Sequence, residues 1–205
     1  MKQKNIKYYT LAILSTSLIG CANFTPVAEE DLPKNATYEM YPNTSNKLLI
    51  EYFVTRKVEL KQPLEYCLSS SVKNTDVSFD STTYTVGAFT GNLYSKKNNS
   101  KTEAKKQIQT HSNISLTQEQ ISNAFVTGGF ISMNMKHDIA AKYENGTLKL
   151  KFFNLNSEQA NTGSMKNTGF KDRGIVTWMS ETFNGSVSQY EKTASKIVSC
   201  LSGSF

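Results

Sequence analysis

Hydrophobic and polar residues alternate along several stretches of the chain, a pattern typical of β-strands that bury one face. The clearest alternation runs from Leu48 to Leu60. Thr82 to Tyr94 and Phe125 to Lys136 are further candidates because they are rich in β-branched and aromatic residues. Gly128-Gly129 interrupts the last of these and predicts a bulge, and Ile175 to Met179 predicts another short strand.

The dipeptide Asn145-Gly146 is the strongest turn signal in the chain, because it favours the type I′ turn of a tight β-hairpin. It separates Asp138–Glu144 from Thr147–Phe153. The second arm alternates apolar residues with lysines, namely Leu148, Leu150 and Phe152 with Lys149 and Lys151. We therefore predict a hairpin with one buried and one wet face, followed by a polar loop from Asn154 to Asp172.

Two segments have the apolar spacing of helices. The first follows Pro63, a residue that favours a helix start, and its apolar positions are Leu64, Cys67, Leu68 and Val72. The second runs from about Ser188 to Leu201, and its apolar stripe consists of Tyr190, Ala194, Ile197, Val198 and Leu201. Cys67 and Cys200 lie at the edges of the two stripes.

The order of these elements predicts an α+β fold: an antiparallel β-sheet with two main helices packed on one face. Residues 48–205 would form its single globular domain. Ser115 with Gln118 matches a capping box and predicts a further short helix that reaches Ala124. The lysine-rich stretch from Ser95 to Asn113 is either a solvated loop or a contact for anionic lipid headgroups or cell-wall polymer.

The N-terminus combines a basic start with a short apolar run. Lys2, Lys4 and Lys7 precede Tyr8–Ile19, which is largely apolar. A bilayer-spanning helix needs about 20 predominantly apolar residues, so this run is too short to be one. It has the charged and apolar regions of a secretory signal, the alternative being an ordinary buried N-terminal helix.

Leu18-Ile19-Gly20-Cys21 closes that run and resembles the lipobox of bacterial lipoproteins. The resemblance covers residues 1–21. It implies that residues 1–20 are a signal peptide, that the thiol of Cys21 receives a diacylglyceryl group, and that its new amine is acylated by a fatty acid such as palmitate. Ala22, rather than Asp, follows the cysteine; by analogy with enterobacterial sorting this favours the periplasmic face of the outer membrane.

The segment 21–47 is predicted to be the lipidated N-terminus and a flexible tether. It is polar, shows no helical or strand periodicity, and contains Pro26, Pro33 and Pro42. A coil of this length spans about 25 to 30 Å on average. We therefore expect the membrane to be a partner through the lipid on Cys21, with the domain standing away from it.

The charge of the chain argues against a nucleic-acid partner. The formal net charge is +6, and it falls to +3 once the three lysines of the signal are removed. Arg56 and Arg173 are the only arginines. Because the planar guanidinium supplies the bidentate contacts of nucleic-acid readers, we expect no nucleic acid to bind.

The cysteines and histidines predict a disulfide and no metal. With Cys21 lipidated, Cys67 and Cys200 are the only thiols left, and an exported domain lies in an oxidising compartment where two cysteines tend to pair. The alternative is two separate buried thiols. His111 and His137 have no closely spaced Cys or His partner, so we expect no metal and no cofactor.

Motifs of catalysis are scarce in the chain. Ser70 and Lys73 match S-x-x-K without the S-D-N or K-T-G motifs that accompany it in enzymes. His137 and Asp138 are strand neighbours and therefore point to opposite faces. The leading hypothesis is a non-enzymatic, lipid-anchored binding or assembly module in the periplasm whose partner is an envelope protein. The alternatives are a carrier or sensor of a small apolar ligand and, with least support, a cell-wall hydrolase.

Overall fold

A computed structural model describes residues 25–73, 82–86, 93–97, 108–111, 113–160, 169–170 and 174–204. Over these residues the fold is α+β, which confirms the predicted class. The strands are β1 (Ala36–Met40), β2 (Lys47–Lys57), β3 (Thr82–Val86), β4 (Leu93–Lys97), β5 (Gln109–His111), β6 (Ile114–Thr127), β7 (Ile131–Glu144), β8 (Thr147–Gln159) and β9 (Ile175–Val176). The helices are α1 (Leu64–Ser71) and α2 (Ser180–Leu201), preceded by a short 3-10 helix at Glu29–Asp31.

Seven of the described strands form one antiparallel sheet in the order β1-β2-β8-β7-β6-β5, with β9 also paired to β2. β8 pairs with β2 from Tyr52 onward, whereas β9 pairs with β2 at Leu48 and Leu49. β9 therefore continues the sheet where β8 has left it. β3 and β4 pair with each other in a separate two-stranded sheet.

The β7–β8 hairpin turns at Asn145-Gly146, as predicted. Both residues have positive φ angles, 50° and 73°, as a type I′ turn requires. Leu148, Leu150 and Phe152 are buried on the arm that follows. This arm continues to Gln159, beyond its predicted end, because its second half pairs with the start of β7.

Two asparagines with left-handed backbone mark bulges in the sheet. Asn123 (φ 51°) lies where the register between β6 and β7 shifts, and Asn154 (φ 50°) lies where the register between β7 and β8 shifts. Asparagine adopts this conformation more readily than most residues. Because a bulge bends its strand, the one at Asn154 accounts for the departure of β8 from β2 just after Phe152.

Both helices pack on the same face of the sheet, as predicted, and the main core lies between them and the strands. Its largest fully buried side chains include Tyr190 and Phe183 of α2, and Phe152 of β8. α2 begins earlier than the predicted Ser188, because its first two turns also face the sheet. There Gly185 lies against the ring of Phe125.

The prediction of a flexible tether over 21–47 needs correction for its described residues, 25–47. β1 pairs with β2 from Ala36, opposite Tyr52, to Met40, opposite Lys47. The Lys47 ammonium also forms an ion pair with Glu29. An edge strand is held by main-chain hydrogen bonds, which need no apolar periodicity, and so the folded part of the chain starts before Leu48.

The prediction of a short helix from Ser115 to Ala124 is wrong, because this segment belongs to β6. It pairs with β5 on one side and β7 on the other. Strand pairing on both sides outweighs the local capping-box match. Gly128-Gly129 was predicted to form a bulge but forms the turn between β6 and β7, with φ angles of 58° and 75°. The strand predicted at 175–179 is limited to the two residues of β9.

Candidate functional site

The predicted disulfide is present and joins the two helices. Cys67 of α1 and Cys200 of α2 are bonded, with their Cα atoms 5.5 Å apart and 133 residues between them in sequence. Both cysteines are buried. Ser70, the first residue of the S-x-x-K match, lies beside this bond: its hydroxyl donates to the carbonyl of Cys67 and is 3.7 Å from Sγ of Cys200. Its surroundings are therefore those of a helix–helix contact.

The predicted lipidation site, Cys21, and the whole signal lie outside the described residues. Thr25, four positions after Cys21, is already attached to the domain. Its carbonyl accepts a hydrogen bond of 2.9 Å from the backbone N–H of Ser180, the first residue of α2. Val27 then donates to the carbonyl of Thr177 at 2.9 Å. The chain thus reaches the start of α2 almost immediately after Cys21.

The turn between β6 and β7 lies at the same end of the molecule. The carboxylate of Glu181, in the first turn of α2, accepts hydrogen bonds from the backbone N–H of Gly128 and from the hydroxyl of Thr127 (3.2 Å). Next to these residues, 81% of Phe130 and 56% of Val126 are exposed. We call Thr25, Ser180, Glu181 and the turn 126–130 the anchor end.

The other end of α2 carries a second exposed apolar feature. Backbone N–H groups of Lys61 and Gln62 donate to the carbonyl of Leu201, so the β2–α1 connection lies at the end of a 22-residue helix, about 33 Å from Ser180. Leu60 and Tyr66 are about half exposed there. A cleft of about 580 Å³ is lined by Leu60, Lys61, Gln62, Pro63, Leu64, Glu65, Thr110, Asn113, Ser115 and Tyr143. We call this region the distal end.

A second surface cavity, of about 680 Å³, lies between the β1–β2 hairpin and the bend of β8. Its walls include Met40, Pro42, Ile50 and Leu155. Gly174 closes it at the bottom, where the backbone has φ 80° and a side chain would meet the carbonyl of Leu49 at 2.6 Å. The backbone at position 174 therefore requires glycine.

The most concentrated polar chemistry among the described residues is buried between the sheet and α2. Glu119 of β6 and His137 of β7 are directly paired across the sheet, with Oε2 and Nε2 3.0 Å apart and exposed side-chain fractions of 1% and 0%. The hydroxyl of Thr193 donates to the same carboxylate oxygen at 2.8 Å, and the N–H of Lys73 approaches the other at 3.4 Å. We call Glu119, His137, Thr193 and Tyr190 the buried polar cluster.

Burial and hydrogen-bond partners change the pKa of Glu119 in the buried polar cluster in opposite directions. Burial alone would raise the pKa of the Glu119 carboxyl, but the proximity and charge of His137, together with Thr193 and the N–H of Lys73, lower this pKa below its usual 4.5. The pKa of Tyr190 is raised, first by burial and then by the charge of Glu119. The Tyr190 hydroxyl has no hydrogen-bond partner within the described part of the chain.

The His137 ring is enclosed by aromatic side chains. Phe152 lies edge-on to it at 5.4 Å between ring centroids, and Tyr190 at 5.0 Å. Neither ring nitrogen makes a well-aligned hydrogen bond to another described residue, although Nε2 lies close to the Glu119 carboxylate. No solvent reaches these groups, and a substrate could not approach them without opening the core.

His137 and Asp138 lie on opposite faces of the sheet, as predicted from their adjacency. Asp138 accepts hydrogen bonds from Gln118 at 2.8 Å and from Asn154 at 2.7 Å on the face away from the helices. Sequence reasoning missed Glu119 as the partner of His137, since that pairing depends on the register of β6 with β7. The alternation of Ser115, Thr117 and Glu119 was the signal that could have revealed it.

Comparisons with known proteins do not narrow the function. No protein-family model, curated protein or solved structure gives a significant match to this chain. No helix among the described residues is long and apolar enough to cross a bilayer. In the same residues, no three His, Cys, Asp or Glu side chains are grouped closely enough to hold a metal ion.

Proposed function

We propose that this protein is a lipid-anchored lipoprotein of the bacterial envelope and acts there as a non-enzymatic binding module for another envelope protein. The anchor is Cys21, acylated at its thiol and amine, in the outer membrane facing the periplasm. The observation that carries the proposal is the docking of Thr25 on Ser180, which joins the lipidation site to a folded domain within four residues. The disulfide between Cys67 and Cys200 suits an oxidising compartment.

The short connection determines which end of the domain faces the membrane. Four residues of extended chain span at most about 14 Å, so a lipid on Cys21 keeps the anchor end near the bilayer. The distal end then points into the periplasm, about 33 Å away along α2. Its cleft, which is lined by the half-exposed Leu60, together with the half-exposed Tyr66 of α1, is the surface that we assign to the protein partner. Exposed aromatic and aliphatic side chains around a cleft are typical of protein contacts.

Burial of the polar cluster supports a binding role over a catalytic one. Glu119 and His137 combine the residue types of an acid–base pair, yet both are within 1% of full burial and are packed against aromatic rings. A catalytic pair must come within about 3 Å of a substrate atom. The carrier and hydrolase hypotheses stay predictions of the sequence, because no observation on the described residues favours either.

Anchoring is tested by mass spectrometry of the full chain purified from membranes. The expected N-terminus is residue 21 with three acyl chains, and vesicles carrying the protein should float in a density gradient. The Cys21→Ser variant should remain soluble and unacylated, since a serine offers no thiol to the lipid. Recovery of the wild-type chain with residues 1–20 intact and Cys21 unmodified would overturn the proposal.

Partner binding is tested by photocrosslinking in intact envelopes with a benzophenone amino acid in place of Tyr66. We expect one discrete adduct with an envelope protein, and we expect Leu60→Glu in the same chain to reduce its yield about tenfold. The same crosslinker at Lys149, which is exposed on β8, is the matched control. Equal adducts at both positions, or none at Tyr66 in a folded and lipidated chain, would refute distal-end binding.

A further inference from the structure

The turn between β6 and β7 and the end of β6 carry two of the five exposed large hydrophobic side chains among the described residues. Phe130 is 81% exposed, the highest value among the large hydrophobic side chains, and Val126 is 56% exposed. Scattered surface hydrophobics are ordinary, but a phenylalanine at the tip of a hairpin presents its whole ring to the surroundings. We call these two exposed side chains, which lie within four residues of each other around the turn, the hairpin tip.

The hairpin that carries this tip has no charged residue for fifteen positions. From Ile121 to Met135 the sequence is ISNAFVTGGFISMNM, with charges only beyond it at Glu119 and Lys136. A protein-binding surface of an exported domain commonly has charges at its rim. A segment that enters the boundary of a bilayer needs their absence, because a charged side chain is expensive to transfer there.

Polar groups of the turn already have hydrogen-bond partners within the protein, which lowers the cost of removing water from them. The N–H of Gly128 and the hydroxyl of Thr127 are already bonded to Glu181. Polar groups that have partners lose much less on dehydration than groups bonded to water alone. Glu181 itself is exposed at the start of α2 and can stay at the level of the headgroups.

The hairpin tip lies close to the point where the chain leads to the proposed lipid on Cys21. Glu181 is the neighbour of Ser180, whose N–H holds the carbonyl of Thr25. Thr25 is four residues from Cys21, a maximum of about 14 Å of extended chain. The lipid and the hairpin tip thus leave the domain at the same end.

We propose that the hairpin tip inserts Phe130 and Val126 into the headgroup–acyl boundary of the leaflet that holds the lipid of Cys21. This inference rests on the proposed function, because it requires the lipid on Cys21. The lipid supplies the affinity, and the tip supplies a second, non-covalent contact that fixes the orientation of the domain. Aromatic side chains favour this boundary, and shallow insertion of about 5–10 Å is typical of proteins that lie on a membrane.

The test uses the full lipidated chain in phosphatidylethanolamine–phosphatidylglycerol vesicles, with one tryptophan as reporter. Phe130→Trp is combined with Trp178→Phe, so that position 130 carries the only indole. We expect its emission to shift to the blue and to be quenched by phospholipids brominated near the headgroup. The matched control is Tyr66→Trp in the Trp178→Phe chain, at the distal end, where we expect quenching by aqueous iodide and none by brominated lipid.

The outcomes separate this inference from the proposed function. If the chain is acylated and floats with vesicles, but the indole at position 130 is quenched only by iodide, the inference is overturned and the anchor survives. If Cys21 is not acylated, both are overturned. Protection of that indole in native envelopes, without lipid quenching in vesicles, would assign the tip to a protein and would also overturn the inference.

A tryptophan at position 126 controls for any change in lipid contact that the Phe130→Trp substitution itself causes. Val126→Trp in the Trp178→Phe background should also be quenched by brominated lipid. Adding Phe130→Asp to that chain should reduce this quenching about threefold, since a carboxylate at the tip opposes insertion. Far-ultraviolet circular dichroism and thermal unfolding verify that each variant is folded. Quenching at position 126 that is unchanged by Phe130→Asp would contradict the inserted position of residue 130.

Discussion

The carboxylate of Glu119 and the ring of His137 are in contact where water does not reach them. Desolvation of a carboxylate is costly, so a buried one needs partners that compensate for the lost water. Here Thr193 and the N–H of Lys73 add hydrogen bonds to the carboxylate, and the pKa of Glu119 falls below its usual value despite burial. The partners therefore outweigh desolvation, and the folded state prefers the charged carboxylate.

The first prediction concerns the pH dependence of this preference. Because the pKa of Glu119 is lower in the folded than in the unfolded chain, its contribution to stability is present above about pH 4.5 and is lost as the pH falls through the folded pKa. Glu119→Gln should lower the free energy of unfolding by about 3 kcal/mol at pH 7, since it removes the charged acceptor that Thr193 and the N–H of Lys73 contact in the core. The difference from wild type should shrink progressively below pH 4.5.

Urea unfolding from pH 3 to pH 7 measures this difference, provided that the m-value is unchanged. Glu39→Gln is the matched control, because Glu39 is exposed on β1. We expect it to change the free energy of unfolding by less than about 0.5 kcal/mol at every pH. A Glu119→Gln effect that stays constant across the whole pH range would show that the carboxylate charge is not what stabilises the fold.

The second prediction concerns Gly185 in the second turn of α2. Alanine is a better helix former than glycine by about 1 kcal/mol, so helix propensity alone favours Gly185→Ala. The added Cβ, however, would lie 2.5 Å from Cδ2 of Phe125. Overpacking of this kind costs about 1 to 3 kcal/mol, and so we expect net destabilisation of about 1 kcal/mol. Thermal unfolding checks the sign, and in a Phe125→Ala background the same substitution should become neutral or stabilising.

Among the elements, β6 shows most clearly what the sequence does and does not predict. The hairpin at Asn145-Gly146 is predictable because its turn needs two residues that accept positive φ, a local property. β6 is set by pairing with β5 and β7, and its inward side carries Ser115, Thr117 and Glu119 instead of apolar residues. A strand whose buried face is polar has no hydrophobic alternation, and so a local capping-box match predicted a helix.

The start of α2 and the strand β1 were predicted less well, because both depend on contacts with distant parts of the chain. α2 extends to Ser180 because Phe183 packs on the sheet and Gly185 makes room for a side chain of β6, contacts that depend on tertiary structure. β1 is held by main-chain bonds to β2. The candidate site divides in the same way: the pairing of Cys67 with Cys200 follows from counting cysteines, whereas the exposure of Phe130 appears only once the hairpin is built.

The third prediction belongs to the helix pair α1–α2. The disulfide closes a loop over a sequence separation of 133 residues, and in the chain-entropy account such a bond contributes about 5 kcal/mol, with measured values more often about 2 to 5 kcal/mol. Cys67→Ser combined with Cys200→Ser should therefore lower the free energy of unfolding by about 2 to 5 kcal/mol. Chemical denaturation measures it, with reduced wild type as a second arm. Ser70→Ala, which leaves the bond in place, is the control, and equal loss in that variant would contradict the assignment.

At the scale of the whole molecule, α2 separates the two surfaces to which we assign membrane contact and partner binding. Its start holds Thr25 and the hairpin tip, and its end holds the β2–α1 connection beside the distal cleft. A helix of 22 residues is a rigid spacer of about 33 Å. With the anchor at one end, a partner bound at the other would be held at a fixed height above the membrane, which a long flexible tether could not achieve.

The last prediction tests whether the short connection orients the domain. A Gly-Ser linker of about twenty residues, inserted between Ala22 and Asn23, adds a coil with an end-to-end distance of about 25 Å. Vesicle flotation should be unchanged, because the linker leaves the proposed acylation site at Cys21 in place. In the Phe130→Trp reporter chain, quenching by brominated lipid should fall about threefold, since a longer tether lowers the effective concentration of the hairpin tip at the bilayer.

The Tyr66→Trp reporter should stay unquenched by lipid in the short chain, where the proposed anchor keeps the distal end away from the bilayer, and in the long chain, where the domain is held at a distance from it. If the linker leaves the lipid quenching at position 130 unchanged, the tip binds the bilayer by its own affinity and the short connection does not orient the domain. If the linker instead exposes the indole at position 130 fully to iodide, orientation depends on the short connection from Cys21 to Thr25, in keeping with the hydrogen bond that fixes Thr25 to the start of α2. The two results assign the orientation either to the β6–β7 turn or to the anchor.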